Sequence, residues 1–195
     1  LTNIVMMGRG EPLQNYAETM KFIRIVHDPD GLNLGARRIT VSTSGIVPRI
    51  EALSLEDLPV NLAVSLHAPE DAQRSELVPI NRRYPIDVLL EACADYLRAR
   101  NRRLSFEWAL IDGVNDRASD ATELATLCRS LPLAAHVNLI PLNPTPGYLT
   151  VGTAPNGVRA FRDALVELGV NATVRQNRGT GIDAACGQLA ARARQ

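Results

Sequence analysis

Short apolar runs alternate along this chain with stretches in which apolar residues recur every three or four positions. The runs predict β-strands, and the periodic stretches predict amphipathic helices. The predicted strands are Asn3–Met7, Arg38–Ser42, Val60–Leu66, Arg103–Ile111, His136–Pro141 and Asn171–Arg175. The predicted helices are Tyr16–His27, Pro85–Arg100, Ala118–Leu131 and Val158–Leu168, with a further short helix that starts near Asp183. Regular alternation of this kind indicates an α/β fold in which a parallel sheet has helices packed outside it.

Polar residues gather where the predicted strands end. The first five strands run into GRGEPL, STSG, SLHAP, IDGVND and LNPTPG, respectively. Parallel sheets carry their chemistry at the carboxyl ends of the strands. Five such ends in succession therefore predict an active-site rim rather than five chance loops.

Three of these strand ends supply candidate ligand-binding groups. In GRGEP, glycines allow close approach of the backbone to a ligand, and the carboxylate of Glu11 suits a cationic group such as an amine. An ordinary strand-to-helix turn accounts for the same stretch equally well. STSG and SLH add hydroxyls and the imidazole of His67, although a structural histidine is the commoner outcome. No carboxylate is placed to complete a hydrolase triad, and no G-x-S-x-G elbow occurs.

Other polar and aromatic positions favour structural roles. Asp112, Asn115 and Asp116 suit a turn and helix N-cap better than a metal site. Asn143 precedes a proline, which is also a plain turn signal. Phe106 and Trp108 alternate along a strand and are expected in the core.

Composition sets the broad class. With 195 residues, of which 46% are hydrophobic, the chain can bury one core, and we expect a single domain over residues 1–195. The formal net charge is zero, which argues against a dedicated nucleic-acid clamp but leaves local patches open. Three cysteines without a signal peptide indicate a reduced, cytoplasmic protein, and no apolar run is long enough to span a membrane.

Cysteine positions divide into two kinds. Cys93 and Cys128 fall on predicted helices and are expected to be inert. Cys186 lies in GIDAACGQLA, where small neighbours leave space around the sulfur. A packing cysteine explains this stretch, but the open surroundings and the nearby Arg175 and Arg178 also suit a nucleophile.

Six motifs in order along the chain resemble the RlmN-type radical S-adenosylmethionine methyltransferases. They are NIVMMGRGEPLQNY, RITVSTSGIVPRI, LAVSLHAP, LVPINRRYPI, HVNLIPLNPTPG and GIDAACGQLA, and together they extend from about Asn3 to about Ala191. The family methylates carbon 2 of an adenine in 23S ribosomal RNA and in certain transfer RNAs. The resemblance implies a partial parallel (β/α) barrel of the radical S-adenosylmethionine type, acting on RNA as a monomer.

The resemblance also implies roles for individual residues. The S-adenosylmethionine contacts it implies are Gly10, Glu11, Ser42, Ser65, Leu66, His67 and Asn143. Cys186 is similar to the cysteine that accepts a methyl group from one cofactor molecule before a radical derived from a second activates that methyl for transfer to adenine. A sister family that methylates carbon 8 of the ribosomal adenine, or a non-catalytic fragment, remains an alternative.

Two departures from the family pattern stand out. Position 181 is glycine where the family usually has an acidic residue. The family's three cysteines for a 4Fe-4S cluster, spaced C-x-x-x-C-x-x-C, have no counterpart among Cys93, Cys128 and Cys186. We therefore expect no metal ligands in this chain, with the cluster ligands upstream of residue 1, and a chain that is truncated at its N-terminus.

Overall fold

Six strands pair side by side in one parallel sheet, in the order in which they occur along the chain. The computed structural model describes residues 1–7, 10–142 and 150–175. Within these residues the strands are β1 (Ile4–Met6), β2 (Ile39–Thr43), β3 (Asn61–Ser65), β4 (Leu104–Leu110), β5 (His136–Pro141) and β6 (Asn171–Val174). All six agree with the predicted strands to within one residue at each end, and the predicted α/β class is confirmed.

Helices connect successive strands. The described residues form α1 (Tyr16–His27), α2 (Val47–Leu55), α3 (Asp71–Leu77), α4 (Ile86–Arg100), α5 (Ala118–Ser130) and α6 (Pro155–Glu167), with short 3-10 turns at Ala36–Arg38 and Pro79–Arg82. Four of these helices match the prediction, while α2 and α3 were not predicted. The predicted short helix near Asp183 lies outside the described residues.

The strand order determines where the helices lie. Crossovers between parallel strands are right-handed, and because each new strand is added on the same side of the last, all helices fall on one face of the sheet. That face is apolar: Leu62, Val64, Phe106 and Val137 are fully buried in a single hydrophobic cluster shared with the helices. This layering is the outer shell of a partial (β/α) barrel.

The opposite face of the sheet is polar, although much of it is buried. Ser105, Glu107 and His136 point to that side, and each is less than a tenth exposed. The sheet curls around this face, because Arg175, directly after β6, reaches Met7, directly after β1, with its Nη1 3.1 Å from the Met7 sulfur. The inner face of the curled sheet is thus a lined, sheltered surface that opens at the carboxyl ends of the strands.

Aromatic packing agrees with the sequence. Phe106 and Trp108 are fully buried on the helix-covered face, as predicted. The Trp108 ring stacks on Phe161 of α6 with 6.1 Å between centroids, and its Nε1 donates to the Asn115 carbonyl. None of the described helices combines the length and apolar character that a membrane-spanning segment requires.

Candidate functional site at the carboxyl ends of the strands

Glu11 joins the loop after β1 to the loop after β2. Its Oε2 accepts hydrogen bonds from the backbone N–H and the hydroxyl of Ser44, at 2.7 and 2.8 Å, and its Oε1 accepts from the Leu13 N–H at 3.0 Å. A carboxylate has about four acceptor positions, so three protein donors leave room for one more. The half-buried Glu11 is therefore pre-oriented with one lone pair available for a ligand donor.

Gly10 precedes Glu11 in the loop after β1, and Ser42 lies near the end of β2. Gly10 has φ +78°, a left-handed conformation that suits glycine, and no atom lies close to the position a Cβ would take. The Ser42 hydroxyl donates to the Met6 carbonyl, which ties the end of β2 to the end of β1. The contact of either residue with a cofactor stays a prediction.

His67 is held in an unusual backbone conformation with a defined tautomer. Its φ is +61°, which is uncommon for a residue other than glycine. The Ala109 N–H donates to His67 Nδ1 at 3.0 Å, so Nδ1 carries no proton and the neutral ring carries its proton on Nε2. Burial, together with the positive charge of Arg74, lowers the His67 pKa to about 4. At neutral pH the side chain is a neutral hydrogen-bond donor through Nε2.

Arg74 holds the loops after β2 and β3 together. It is fully buried, and its guanidinium donates to the carbonyls of Leu66 (3.2 Å), Ser44 (2.8 Å) and Ser65 (3.0 Å) and to Asn81 Oδ1 (2.7 Å). Burial lowers the Arg74 pKa to about 10, so the group remains charged at neutral pH. The sequence analysis missed Arg74, which lies on the unpredicted helix α3.

The backbone next to Arg74 is shaped to fit it. Gly45 has φ +112°, and a Cβ there would lie 3.2 Å from Arg74 Nη2 and 3.3 Å from a Leu89 methyl carbon. Asn81, which accepts from Arg74, is itself held in place, because its Nδ2 donates to Asp71 Oδ1 at 2.9 Å. The buried charge is thus enclosed by groups that are themselves fixed.

Ser65 and Leu66 take different positions in this arrangement. Ser65 ends β3 on the inner face and is half-buried. The Leu66 side chain lies in the core; its N–H donates to the Glu107 carbonyl and its own carbonyl accepts from Arg74. Leu66 therefore has its backbone polar groups engaged within the protein, and its predicted cofactor contact stays a prediction.

Asn115 fixes the His67 loop from the other side. It is fully buried; its Nδ2 donates to the carbonyls of His67 and Ala109, at 2.7 and 2.8 Å, and its Oδ1 accepts from the Ile111 N–H. The predicted turn at residues 112–116 is confirmed. The predicted N-cap role is wrong in detail, because Asp116 accepts from Gly113 N–H and the Thr153 hydroxyl, while α5 begins at Ala118.

A polar row crosses the inner face one layer below the rim. Strand register places Ser65, Glu107, Asn138 and Thr173 side by side on β3, β4, β5 and β6; these four residues are called the polar row below. Hydrogen bonds join its last three members, from Asn138 Nδ2 to Glu107 Oε1 (2.7 Å) and from the Thr173 hydroxyl to Asn138 Oδ1 (3.0 Å). The sequence analysis missed the row, although polar residues at alternate positions of SFEWAL, HVNLI and NATVR were its signal.

The cysteines in the described residues are structural. Cys93 on α4 and Cys128 on α5 are buried, and burial raises the pKa of each thiol to about 12, as expected for inert cysteines. Among residues 1–7, 10–142 and 150–175, no group of three or more His, Cys, Asp or Glu could hold a metal ion. These residues therefore do not fit an iron–sulfur cluster, and we derive no step through one. Cys186 and Asn143 lie outside the described residues.

The same residues do fit S-adenosylmethionine. Glu11 keeps one acceptor position for an ammonium group, and His67 presents a neutral N–H. Glu107 carries a buried oxygen, Oε2, that accepts no hydrogen bond from residues 1–7, 10–142 or 150–175. An amino acid joined to a nucleoside offers donors and acceptors of this kind.

Known proteins resemble this chain over its whole length. No protein-family model matches it. Proteins of Staphylococcus aureus strains JH9 and Newman, each named a probable dual-specificity RNA methyltransferase RlmN, are 52% identical to it over 195 residues, which is 100% of this chain and 53% of the relative. The chain thus spans about half the length of these relatives.

Solved structures agree. A radical SAM methyltransferase from Sphaerobacter thermophilus superposes with a TM-score of 0.92 at 56% identity, covering 96% of this chain and 55% of that one. A domain of pyruvate-formate lyase-activating enzyme from Bacteroides vulgatus superposes with a TM-score of 0.67 at 15% identity, covering 90% of this chain and 100% of that one, which supports the fold alone. In sequence and in fold, the chain is thus similar to proteins named RlmN RNA methyltransferases and to a radical SAM methyltransferase, and it spans about half the length of each.

Proposed function

We propose that this chain is the S-adenosylmethionine-binding part of an RNA methyltransferase that acts on carbon 2 of adenine in 23S ribosomal RNA and transfer RNA. The observation that supports the proposal is that the loops at the carboxyl ends of β1, β2 and β3 are joined: Glu11 accepts from Ser44, and Arg74 bonds the Ser44 and Ser65 carbonyls. The 52% identity to proteins named dual-specificity RNA methyltransferases supports RNA as the substrate.

The described side chains bind and orient the cofactor. The free acceptor position of Glu11 receives the methionyl ammonium, and His67 donates through Nε2. Arg74 and Asn115 contact no ligand in this proposal. Arg74 holds the ends of β2 and β3 together through the Ser44 and Ser65 carbonyls, and Asn115 ties the loop after β3 to β4 through the His67 and Ala109 carbonyls. When bound, S-adenosylmethionine would supply the methyl group; a radical from a second molecule would require one electron from a reductant that the described residues do not hold.

Cys186 is proposed as the residue that carries the methyl group. A thiolate attacks the cofactor's methyl carbon, the sulfonium–methyl bond breaks, and a methyl thioether and S-adenosylhomocysteine result. Cys93 and Cys128 are unsuited to this step, because a thiol with a pKa near 12 has almost no thiolate at neutral pH.

The test compares cysteine variants in the whole protein to which this chain belongs. We expect Cys186→Ala and Cys186→Ser to abolish adenosine methylation without weakening cofactor binding, because the sulfur is a carbon carrier rather than a binding contact. The matched control is Cys128→Ala, which should cost only modest stability and retain activity.

Mass spectrometry of the RNA product and of the tryptic peptide that contains Cys186 provides both readouts. A methylated Cys186 together with 2-methyladenosine supports the proposal. An active Cys186→Ala variant, or an unmethylated Cys186 in active enzyme, contradicts the role of the cysteine. Methyl groups on carbon 8 would assign the chain to the sister activity instead.

A further inference from the structure

The polar row contains a carboxylate, Glu107, that the described residues bond only in part. Glu107 is 3% exposed. Its Oε1 accepts from Asn138 Nδ2 at 2.7 Å and from the Ser105 hydroxyl at 3.2 Å. Its Oε2 is buried and accepts no hydrogen bond from the described residues. Burying a carboxylate oxygen without a donor is costly, so such an atom calls for an explanation.

The positive charge of Arg175 explains the buried oxygen only in part. Arg175 Nη1 lies 3.5 Å from Glu107 Oε2, within ion-pair range but without hydrogen-bond geometry. The Arg175 side chain is 39% exposed, so solvent weakens the attraction. Arg175 therefore stabilises the negative charge of Glu107 without satisfying the oxygen.

The position of the oxygen indicates which ligand reaches it. Glu107 and Ser65 are register partners on neighbouring strands and face the same side of the sheet. The next residue of β4 on that face, towards the carboxyl end of the strand, is Ala109, and its N–H donates to His67 Nδ1. The unpartnered oxygen thus lies one strand away from Ser65 and one layer below His67, on the inner surface that opens at the rim.

We propose that Glu107 Oε2 accepts hydrogen bonds from the ribose hydroxyls of bound S-adenosylmethionine. This inference rests on the proposed function. A carboxylate accepts only, so its ligand must donate, and a vicinal diol is a donor pair that carboxylates bind in other nucleotide sites. The cofactor's ammonium is assigned to Glu11 at the end of β1, which leaves the ribose hydroxyls and the adenine amine as its remaining donors.

The test compares the affinities of wild type and one variant, Glu107→Gln, for a ligand with and without a ribose hydroxyl. The ligands are S-adenosylhomocysteine and its 2′-deoxy and 3′-deoxy analogues, and calorimetry on the whole protein to which this chain belongs measures their affinities. Glu107→Gln keeps an oxygen for Asn138 and Ser105 but removes the charge. We expect wild type to bind one deoxy analogue about tenfold more weakly than the parent ligand, because a hydrogen bond to a charged group contributes about that much.

If the proposal is right, the affinity difference between parent and deoxy ligand disappears in Glu107→Gln. Glu107→Gln should bind S-adenosylhomocysteine about tenfold more weakly than wild type, and should bind the deoxy analogue about as well as it binds the parent. Glu123→Gln, an exposed change on α5, is the matched control and should keep the wild-type pattern. Circular dichroism verifies that each variant is folded.

The other outcomes overturn the proposal in distinguishable ways. Equal weakening for parent and deoxy ligands makes Glu107 a positioning residue without ribose contact. Unchanged affinity in Glu107→Gln removes it from the site while the proposed cofactor site stands. An N6-methyl analogue of S-adenosylhomocysteine is measured in the same way. If wild type discriminates against this analogue rather than against a deoxy analogue, and Glu107→Gln does not, the oxygen faces the adenine amine. If wild type binds none of these ligands, the cofactor-binding part of the proposed function fails and this inference with it.

Discussion

Arg74 and Glu107 are both charged and buried near the carboxyl ends of the strands, but the protein treats them differently. Every nitrogen of the Arg74 guanidinium donates to a carbonyl or amide oxygen of the protein. Glu107 has one oxygen bonded and one without a hydrogen-bond partner in the described residues. A satisfied buried charge fixes the positions of its neighbours, whereas an unsatisfied one is stabilised further only when a ligand arrives.

Of the substitutions that test this difference between Arg74 and Glu107, replacing Arg74 should lower the free energy of unfolding most. Arg74→Met leaves the carbonyls of Ser44 and Ser65 and the Asn81 amide oxygen without their donor. Each buried acceptor left unbonded costs about 1–3 kcal/mol, so we expect the free energy of unfolding to fall by more than about 3 kcal/mol. Denaturant unfolding measures it. Arg82→Met, an exposed neighbour, is the control; equal stability of the two variants would show that the Arg74 contacts contribute little.

The charge of Arg74 also acts on His67, and pH reveals it. The folded-state pKa of His67 is lowered to about 4 by burial and by Arg74, below the 6.5 expected in the unfolded chain. Between these values the unfolded state binds more protons, so this contribution to stability is complete above pH 6.5 and is lost as pH falls towards 4. The full loss is up to about 3 kcal/mol.

Comparison with His67→Gln isolates this pH effect. We expect the difference in unfolding free energy between wild type and His67→Gln to shrink as pH falls from 6.5 to 4. His27→Gln keeps the His67 imidazole and should follow the wild-type slope. A difference that does not change with pH would contradict the burial of a neutral His67.

Glu11 lies between the two extremes, since it is bonded to the protein and keeps a free acceptor position. Glu11→Ala should lower stability by about 2 kcal/mol, because hydrogen bonds from Ser44 and Leu13 are lost. In the whole protein it should weaken S-adenosylmethionine binding by roughly tenfold to a hundredfold. Thermal unfolding and calorimetry measure the two effects, with the exposed Glu91→Ala as control. Unchanged affinity in a folded Glu11→Ala would remove Glu11 from the ligand site.

Glu107 should have the smallest effect on stability. Glu107→Gln exchanges a buried, partly bonded charge for a neutral amide of the same shape and loses only an ion pair to the part-exposed Arg175. We expect the free energy of unfolding to change by less than about 1 kcal/mol, in either direction. Denaturant unfolding beside Arg74→Met tests the comparison directly. A loss as large as that of Arg74→Met would mean that Glu107 is as structural as Arg74.

The sequence predicts the sheet more fully than the helices. All six strands are recovered because each is a short apolar run bounded by polar or glycine-rich residues. Helices α2 and α3 escape prediction because they have nine and seven residues, and α2 has a proline in its first turn. Stretches this short show too few turns for a helical period to appear.

The candidate site also contains residues that the sequence predicts and residues that it does not. Motifs at the strand ends predict Gly10, Glu11, Ser42, Ser65 and His67 as candidates, because these motifs stand out locally and resemble those of a known family; their contacts with a ligand stay predictions. They identify neither Arg74 nor Glu107, since an arginine on a short helix and a glutamate within a strand are usually solvated. Both side chains are buried, and burial follows from contacts between distant elements.

By itself, the sequence determined the α/β class, the order of the strands along the chain, the rim on which the polar motifs lie and the family resemblance, because each is written in local pattern and residue type. Only the tertiary structure decided that Glu11 and Ser44, 33 residues apart, share hydrogen bonds and that Arg74 joins two strand-end loops. The same holds for Glu107, one oxygen of which has no hydrogen-bond donor among the described residues. The physical reason is that hydrogen-bond satisfaction depends on which groups meet in space, and neighbouring parallel strands bring together residues that are far apart along the chain.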